Sequence, residues 1–104
     1  MPASIAYITG TGTVSVNGTL TGDLKGFVRA GETTVYSASI EAAGGTATLI
    51  LHNAGSGATA TADHITITTL ASSYRNYGAH GLLFNDGLSA VPSGTGHHVT
   101  VVFS

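Results

Sequence analysis

The 104-residue chain contains no cysteine and no tryptophan. Without cysteine, no disulfide can brace the fold and no thiolate can act as a nucleophile or a metal ligand. Stability must therefore come from apolar packing and backbone pairing, with help from neighbouring subunits where these bind. A chain of this length predicts one domain, residues 1–104, with a modest core of its own.

Charge is the second shortage, since Asp, Glu, Lys and Arg make up 8% of the residues, against about a quarter in an ordinary soluble domain. The three basic residues, Lys25, Arg29 and Arg75, are too few to follow a phosphate backbone, so we expect no nucleic-acid partner. Little charge combined with a mean hydropathy of +0.31 argues against disorder. It also leaves the surface poorly protected against self-association, which predicts a homo-oligomer.

Long apolar runs are missing as well. No segment approaches the roughly 20 apolar residues that a membrane-spanning helix needs, so we expect no membrane partner. Residues 1–5 lack the basic start and the apolar core of a secretory signal peptide. We therefore expect the protein to be made and used in a cytoplasm.

Glycine, with 15 residues, and threonine are abundant and separate short runs of Val, Ile and Leu. β-Branched residues favour strands and glycine marks turns, while no stripe with the helical period is longer than two turns. Residues 33–42 alternate between two faces, and the Leu-Ile-Leu run at 49–51 is typical of a strand covered on both faces. The Asn-Gly pair at 17–18 and the Asn-Asp-Gly sequence at 85–87 predict hairpin turns.

These signals predict eight to ten short strands without a long linker. So many strands in so short a chain must form a sandwich or a small barrel, and we predict an all-β, antiparallel β-sandwich of jelly-roll type. Residues 92–96 are predicted to form a turn before the last strand, residues 97–103. Residues 71–77 show no strand pattern and are predicted to be irregular, with room for one short helical turn.

The sequence contains no pattern that indicates catalysis. There is no G-x-S-x-G nucleophile elbow, and no helix follows the Gly-Thr-Gly sequence at 10–12 to bind a phosphate. The five acidic residues are spread over separate segments and form no pair for glycoside chemistry. We therefore predict that the protein is not an enzyme and needs no cofactor.

The five histidines leave a metal site open as an alternative. His97 and His98 are adjacent, so on a strand they point to opposite faces, and no H-x-H or H-x-x-x-H spacing occurs. A metal site would need His52, His64, His80 and one of the adjacent pair to be brought together by the tertiary fold. We predict instead that the histidines are polar strand, loop or interface residues and that no metal is required.

The most polar aromatic cluster in the sequence is Tyr74, Arg75, Asn76 and Tyr77. Tyr and Arg are enriched at the binding hot spots of protein interfaces. We predict that these four residues form a loop that contacts a partner, with Arg75 as the anchor. The alternative is an ordinary loop whose rings pack over the end of the sandwich.

A family resemblance is carried by residues 77–94, YGAHGLLFNDGLSAVPSG, and residues 97–103, HHVTVVF. Within residues 74–104 this pattern resembles the C-terminal end of small structural proteins encoded among the capsid genes of tailed bacteriophages. The resemblance implies a virion protein: a capsid cement (decoration) protein, favoured as a trimer, or a neck or tail component. It implies the major capsid protein or other virion proteins as partners, and it carries over no catalytic residue.

A small carbohydrate-binding β-sandwich module is the alternative class of protein. Such modules stack sugars on exposed aromatic side chains, usually including Trp, whereas this chain has four Tyr, three Phe and no Trp. Low charge, many short strands and abundant Thr and Gly suit a subunit that buries much of its surface in an assembly. Taken with the resemblance to phage structural proteins, the sequence therefore predicts a non-enzymatic virion structural protein.

Overall fold

The structure, a computed structural model, describes residues 3–21, 26–42, 44–55, 64–94 and 98–104. Within these ranges there is no helix, and most residues lie in strands. The strand segments are β1 (Ser4–Ile8), β2 (Val14–Val16), β3 (Thr19–Leu20), β4 (Phe27–Ala30), β5 (Thr33–Glu41), β6 (Ala47–Asn53), β7 (His64–Thr69), β8 (Ser72–Asn76), β9 (Leu82–Phe84), β10 (Gly87–Gly94) and β11 (His98–Phe103).

The strands form two sheets in which every pair is antiparallel. The first sheet has the order β3-β2-β1-β11-β5-β8, and β9 also pairs with β5; the second has the order β4-β10-β6-β7. β8 and β9 follow one another along the same edge of β5, because β8 pairs with its second half and β9 with its first.

This strand order is that of a jelly roll. If β8 and β9 are counted as one interrupted strand and the short β2–β3 hairpin is set aside, eight strands remain. The first and last strands are then neighbours, and the chain passes back and forth between two four-stranded sheets. The predicted antiparallel β-sandwich of jelly-roll type is therefore confirmed. The eleven segments exceed the predicted eight to ten because of the hairpin and the interrupted edge strand.

One apolar core lies between the sheets. Its buried members are Ala6, Ile8, Val14, Val28, Val35, Ala38, Ile40, Ala47, Leu49, Leu51, Ile67, Phe84, Leu88, Ala90, Val99, Val101 and Phe103. In the Leu-Ile-Leu run, Leu49 and Leu51 are fully buried, whereas Ile50, on the other side of β6, is half-buried.

A bulge in β5 interrupts the predicted alternation of residues 33–42. Val35 and Ile40 are both fully buried although they are five positions apart, a spacing that puts two side chains on opposite faces of a regular strand. The register against β11 shifts between Val102 and Phe103, so Tyr36 is the extra residue of β5 at this point. Because of the bulge, the side chains of Val35 before it and of Ile40 after it both face the core.

The predicted hairpin turn at Asn17 and Gly18 is confirmed. Both residues have positive φ, 51° and 85°, as a tight turn of this kind requires. The turn joins β2 to β3, and the Asn17 side chain also accepts a hydrogen bond from the backbone N–H of Ile5 at 2.9 Å. The turn residue therefore also ties the hairpin to β1.

The predicted hairpin at residues 85–87 is wrong. β9 belongs to the first sheet and β10 to the second, so residues 85–86 carry the chain from one sheet to the other. Gly87 has a φ of 144°, and a Cβ there would overlap the carbonyl oxygen of Ala54 and lie 2.6 Å from that of Arg29. Glycine is required at this position because two other backbone segments approach it closely.

Pro92 lies inside β10 and not in a turn, so the predicted turn at 92–96 is wrong for residues 92–94; residues 95–97 lie outside the described ranges. The N–H of Ala90 donates to the carbonyl oxygen of Gly26, on the β4 side of the strand. The nitrogen of Pro92 points to the same side, beyond the last paired residue of β4. Among the described strands, no ladder hydrogen bond is therefore lost to the proline.

The irregular segment predicted at residues 71–77 is a strand over most of its length. β8 pairs with β5 from Ser72, opposite Glu41, to Asn76, opposite Ser37. Its sequence, SSYRN, has no apolar alternation because the strand lies at the edge of the sheet and most of its side chains are exposed.

We expect Gly87→Ala to lower the free energy of unfolding by about 3 kcal/mol or more, since the backbone conformation alone costs a non-glycine residue about 1–3 kcal/mol and the overlap adds to it. Gly18→Ala is the matched control, because nothing lies within 4 Å of a Cβ at that position. It should cost about 1 kcal/mol. Urea denaturation of the two variants measures the difference, and equal losses would contradict the close approach at Gly87.

Candidate functional site: the outer face and free edge of the first sheet

The four residues predicted to form a contact loop do not form one surface. Tyr74, Arg75 and Asn76 lie on β8, and Tyr77 follows its last residue. Tyr74 is opposite Ser39, on the side of the sheet that faces away from the core, whereas Arg75 is opposite the fully buried Ala38. Side chains alternate along a strand, so Tyr74 and Asn76 share the outer face while Arg75 and Tyr77 lie toward the core side.

Tyr77 is a packing residue. It is half-buried against the core, and its hydroxyl is buried without a hydrogen-bond partner among the described residues. Burial raises the pKa of Tyr77 above its ordinary value of 10.0, and the positive charge of Arg75 opposes this in smaller measure. Of the predicted contact residues, Tyr74, Arg75 and Asn76 are exposed and available to a partner.

The outer face of the first sheet carries a row of residues that crosses six strands. The strand registers place Leu20 of β3, Ser15 of β2, Tyr7 of β1, Thr100 of β11, Ser39 of β5 and Tyr74 of β8 side by side. We call these six residues the Tyr row. The row contains two tyrosines and a leucine, and the residues between them have small side chains with a hydroxyl group.

Large apolar side chains are concentrated on this outer face. Among the described residues, six such side chains are exposed: Ile5, Tyr7, Leu20, Leu70, Tyr74 and Leu83. All but Leu70 lie on the outer face of the first sheet; in the Tyr row, Leu20 is 71% exposed, Tyr74 64% and Tyr7 41%. Leu70 lies in the turn between β7 and β8. An apolar set collected on one side of a small protein marks a binding surface more strongly than scattered residues do.

The same face is almost without charge. Glu41 is the one charged residue that the described strands place on it, and it lies opposite His98. The residues that lie between the apolar side chains include Ser37, Ser39 and Thr100, which are polar but uncharged. A partner can therefore cover this face without desolvating a set of ions, which is the costliest step in forming an interface.

Tyr7 is held in place by a contact with His98. The Tyr7 hydroxyl and His98 Nδ1 are 2.8 Å apart, and the two rings stack with centroids 5.7 Å apart at an interplanar angle of 18°. A tyrosine fixed in this way offers contact area without losing much side-chain entropy when a partner binds.

The histidines considered for a metal site are distributed over the molecule. His52 is on β6 and His64 is its cross-strand partner on β7, both in the second sheet. His98 is on β11 in the first sheet, His80 is exposed between β8 and β9, and His97 lies outside the described residues. In the part of the chain that is described, no group of three or more His, Asp or Glu side chains could hold a metal ion.

The closest approach to a nucleophile and base is Ser89 beside His52. The two are direct cross-strand partners on β10 and β6, fully buried and 8% exposed respectively. The Ser89 hydroxyl makes no hydrogen bond to His52 or to any other described residue. A serine nucleophile is activated by a hydrogen bond to its base, and the structure shows no such bond between these two side chains.

Within the described ranges, no helix has the length and apolar character to cross a membrane. Comparison with models of protein families, with curated proteins and with solved structures finds no match to the chain. The function is therefore inferred from the chain's own surface.

We expect Tyr77→Phe to raise the free energy of unfolding by about 1 kcal/mol, because it removes a buried hydroxyl that has no hydrogen bond. The raised pKa means that the folded state holds the tyrosine proton more tightly than the unfolded state does. The contribution of this proton to stability is therefore complete below about pH 10 and is lost as the pH rises above it. Thermal unfolding at pH 8 and pH 11 should show a smaller alkaline loss for Tyr77→Phe than for wild type.

Tyr7→Phe provides the control, because Tyr7 is exposed and its hydroxyl has a partner in His98. This variant should be no more stable than wild type at pH 8. A destabilised Tyr77→Phe variant would show that the hydroxyl has a partner in solution.

Proposed function

We propose that the protein is a non-enzymatic structural subunit of a bacteriophage virion, a cement protein that binds the outside of the capsid at junctions between capsomers. The observation that carries this proposal is the outer face of the first sheet, where exposed Tyr7, Leu20 and Tyr74 share a nearly uncharged surface. Aromatic enrichment and charge depletion are the compositional marks of the core of a protein interface. The partner would be the major capsid protein or another virion protein.

The rigidity of the surface supports a role in stabilising a shell. Antiparallel pairing continues across all six strands of the Tyr row, from β3 to β8. Backbone groups fixed in this way lose little conformational entropy on binding, so more of the contact energy remains as affinity. A subunit that binds the closed shell and not its open form lowers the free energy of the closed shell by mass action.

The size of the surface favours several copies acting together. Six strands with a spacing of about 4.8 Å and a length of about five residues give roughly 500 Å² in projection. A standard protein interface uses about 800 Å² on each partner. One outer face is therefore a small contact, and a homo-oligomer that touches several capsomers gains effective concentration for each later contact.

The fold and the C-terminal pattern are consistent with this proposal. Jelly rolls occur in viral capsid proteins, and also in lectin domains and cupins, so the fold alone does not assign a function. The pattern that resembles phage structural proteins, residues 77–94 and 97–103, contains β9, β10 and β11. A neck or tail location would use the same surface on a different virion partner.

A carbohydrate-binding role is the second candidate, favoured by Tyr7 and Tyr74 on one exposed face. Three strand spacings separate the two residues in the Tyr row, or about 14 Å. The face between them presents hydroxyl groups that could bond to a sugar. Titration with soluble glycans tests this candidate directly, and saturable binding that Tyr7→Ala abolishes would favour it over the cement role.

Particles that lack the protein should release DNA at a lower temperature than complete particles, and adding purified wild-type protein should restore the difference. We expect Leu20→Ser and Tyr74→Ser each to weaken binding to capsids by about 10-fold, the usual cost of truncating an interface residue worth 1–2 kcal/mol. Capsid pelleting with increasing protein concentration measures the affinity.

Leu70→Ser is the matched control, because Leu70 is as exposed as Leu20, at 77% against 71%, but lies off the outer face. It should bind like wild type. Equal thermal robustness of particles with and without the protein would rule out the cement role. Labelled protein found only at the tail would favour the neck or tail alternative.

A further inference from the structure

The free edge of the first sheet is formed by β8, which pairs with β5 on one side. No described strand pairs with its other side. Natural proteins usually protect such an edge with charged side chains, proline or a bulge, since an open edge is a template for another strand. The β8 sequence, Ser72–Asn76, contains no lysine and no proline, its one charged residue is Arg75, and its pairing with β5 has no register shift.

The phase of the hydrogen bonds shows which backbone groups face this open edge. The carbonyl oxygen of Ala71 accepts from the N–H of Ala42 at 2.6 Å, and the N–H of Tyr77 donates to Tyr36 at 2.8 Å. Backbone groups alternate in direction along an antiparallel strand, so odd-numbered residues from 71 to 77 face β5. Ser72, Tyr74 and Asn76 therefore present three N–H donors and three carbonyl acceptors to the open edge.

We propose that β8 pairs antiparallel with β8 of a second copy, about a two-fold axis that passes beside Tyr74. Tyr74 then lies opposite Tyr74 of the second copy, and Ser72 lies opposite Asn76 of the second copy. The Ser72–Asn76 pair occurs twice by symmetry, which makes three pairs in all. Each pair uses the outward-facing backbone groups and forms two hydrogen bonds, so six backbone hydrogen bonds form without any change in either sheet. The proposal concerns self-association, and it holds whether or not the protein binds a capsid.

Side-chain chemistry selects this register over its neighbours. In it Arg75 lies opposite Ser73 of the second copy, so the charged residue of β8 does not meet itself. Centring the axis on Arg75 would place two like charges directly opposite, which is destabilising. Centring it on Ser73 would place Asn76 opposite Leu70, beyond the end of β8, and leave two hydrogen-bonded pairs in place of three.

The pairing has a consequence for the outer face. A two-fold axis perpendicular to the sheet keeps both outer faces on the same side, and it joins the two Tyr rows end to end through Tyr74. The projected area doubles from roughly 500 to roughly 1,000 Å², which is enough for one side of a standard interface of about 800 Å². The contact gives a dimer, and the trimer favoured on the phage resemblance would need a second, different contact.

The absence of cysteine allows a register-specific test with single-cysteine variants of the purified protein. Residues opposite each other in a hydrogen-bonded pair have Cα atoms about 5.5 Å apart, within the range of a disulfide. We expect Tyr74→Cys to form a disulfide-linked dimer under mild oxidation. Ser72→Cys and Asn76→Cys should each remain unlinked alone, because each lies roughly 13 Å from its own copy. A mixture of these two variants should link.

Thr66→Cys is the control for random collision, since Thr66 is exposed on β7, the edge strand of the second sheet. It should remain unlinked, and efficient linkage at Thr66 with none at Tyr74 would overturn the proposal. Tyr74→Pro removes an outward-facing N–H and leaves the bonds to β5 intact, so it should keep the wild-type circular dichroism and weaken dimerisation at least 10-fold.

Sedimentation equilibrium of the wild type from 1 to 100 μM is expected to show a dimer. A monomer throughout this range, or a trimer without linkage at Tyr74, would overturn the pairing. A dimer that leaves particle stability unchanged would keep the pairing and remove the cement role. Capsid binding by a monomer would overturn the pairing and keep the cement role.

Discussion

The ladder between β11 and β5 is the contact on which the rest of the structure depends. β11 pairs with β1, the first strand of the chain, on one side and with β5 on the other, so the ladder closes the first sheet. It places Val99 and Val101 in the core and leaves Thr100 on the outer face, in the middle of the Tyr row. A slip of one residue would exchange these faces and break the core and the binding surface together. Fold stability and the proposed contact therefore have a common origin.

The local sequence predicted a turn correctly where the turn joins two neighbouring strands of one sheet. The prediction failed where the chain crosses from one sheet to the other. Asn17 and Gly18 join strands that are neighbours in the sheet, so their positive φ values and their position in a hairpin have one cause. Gly87 has an equally demanding backbone, but it comes from the close approach of Arg29 and Ala54, which are distant in the sequence. The same residue type thus marks a turn in one place and a crossing between sheets in the other. The strand density that predicted the jelly roll did not depend on this distinction.

The candidate site could be predicted in part. Tyr74 and Asn76 were identified from composition, but their strand was not, because an edge strand with exposed side chains lacks the apolar period that identifies a strand. Tyr7 was missed for a different reason. The alternation of β1 is visible in the sequence, yet nothing local tells that Ala6 faces the core while Tyr7 faces outward. Pairing with β11 decides which face of β1 is buried. The register of that pairing cannot be predicted from the sequence of β1 alone.

Low charge and open edges would normally favour unlimited association, and the geometry of the first sheet limits it. Beyond Tyr77 the chain leaves β5 and returns to it only at Leu82, so the free edge of β8 offers three outward-facing residues. A two-fold contact at this edge uses the same patch on both copies and is closed, in contrast to a head-to-tail contact, which can continue into a fibre. The opposite edge of the sheet, β3, is two residues long and gives little backbone for a further strand. Association through the edges of the first sheet therefore ends at two copies, and the uncharged outer face remains free for a different partner.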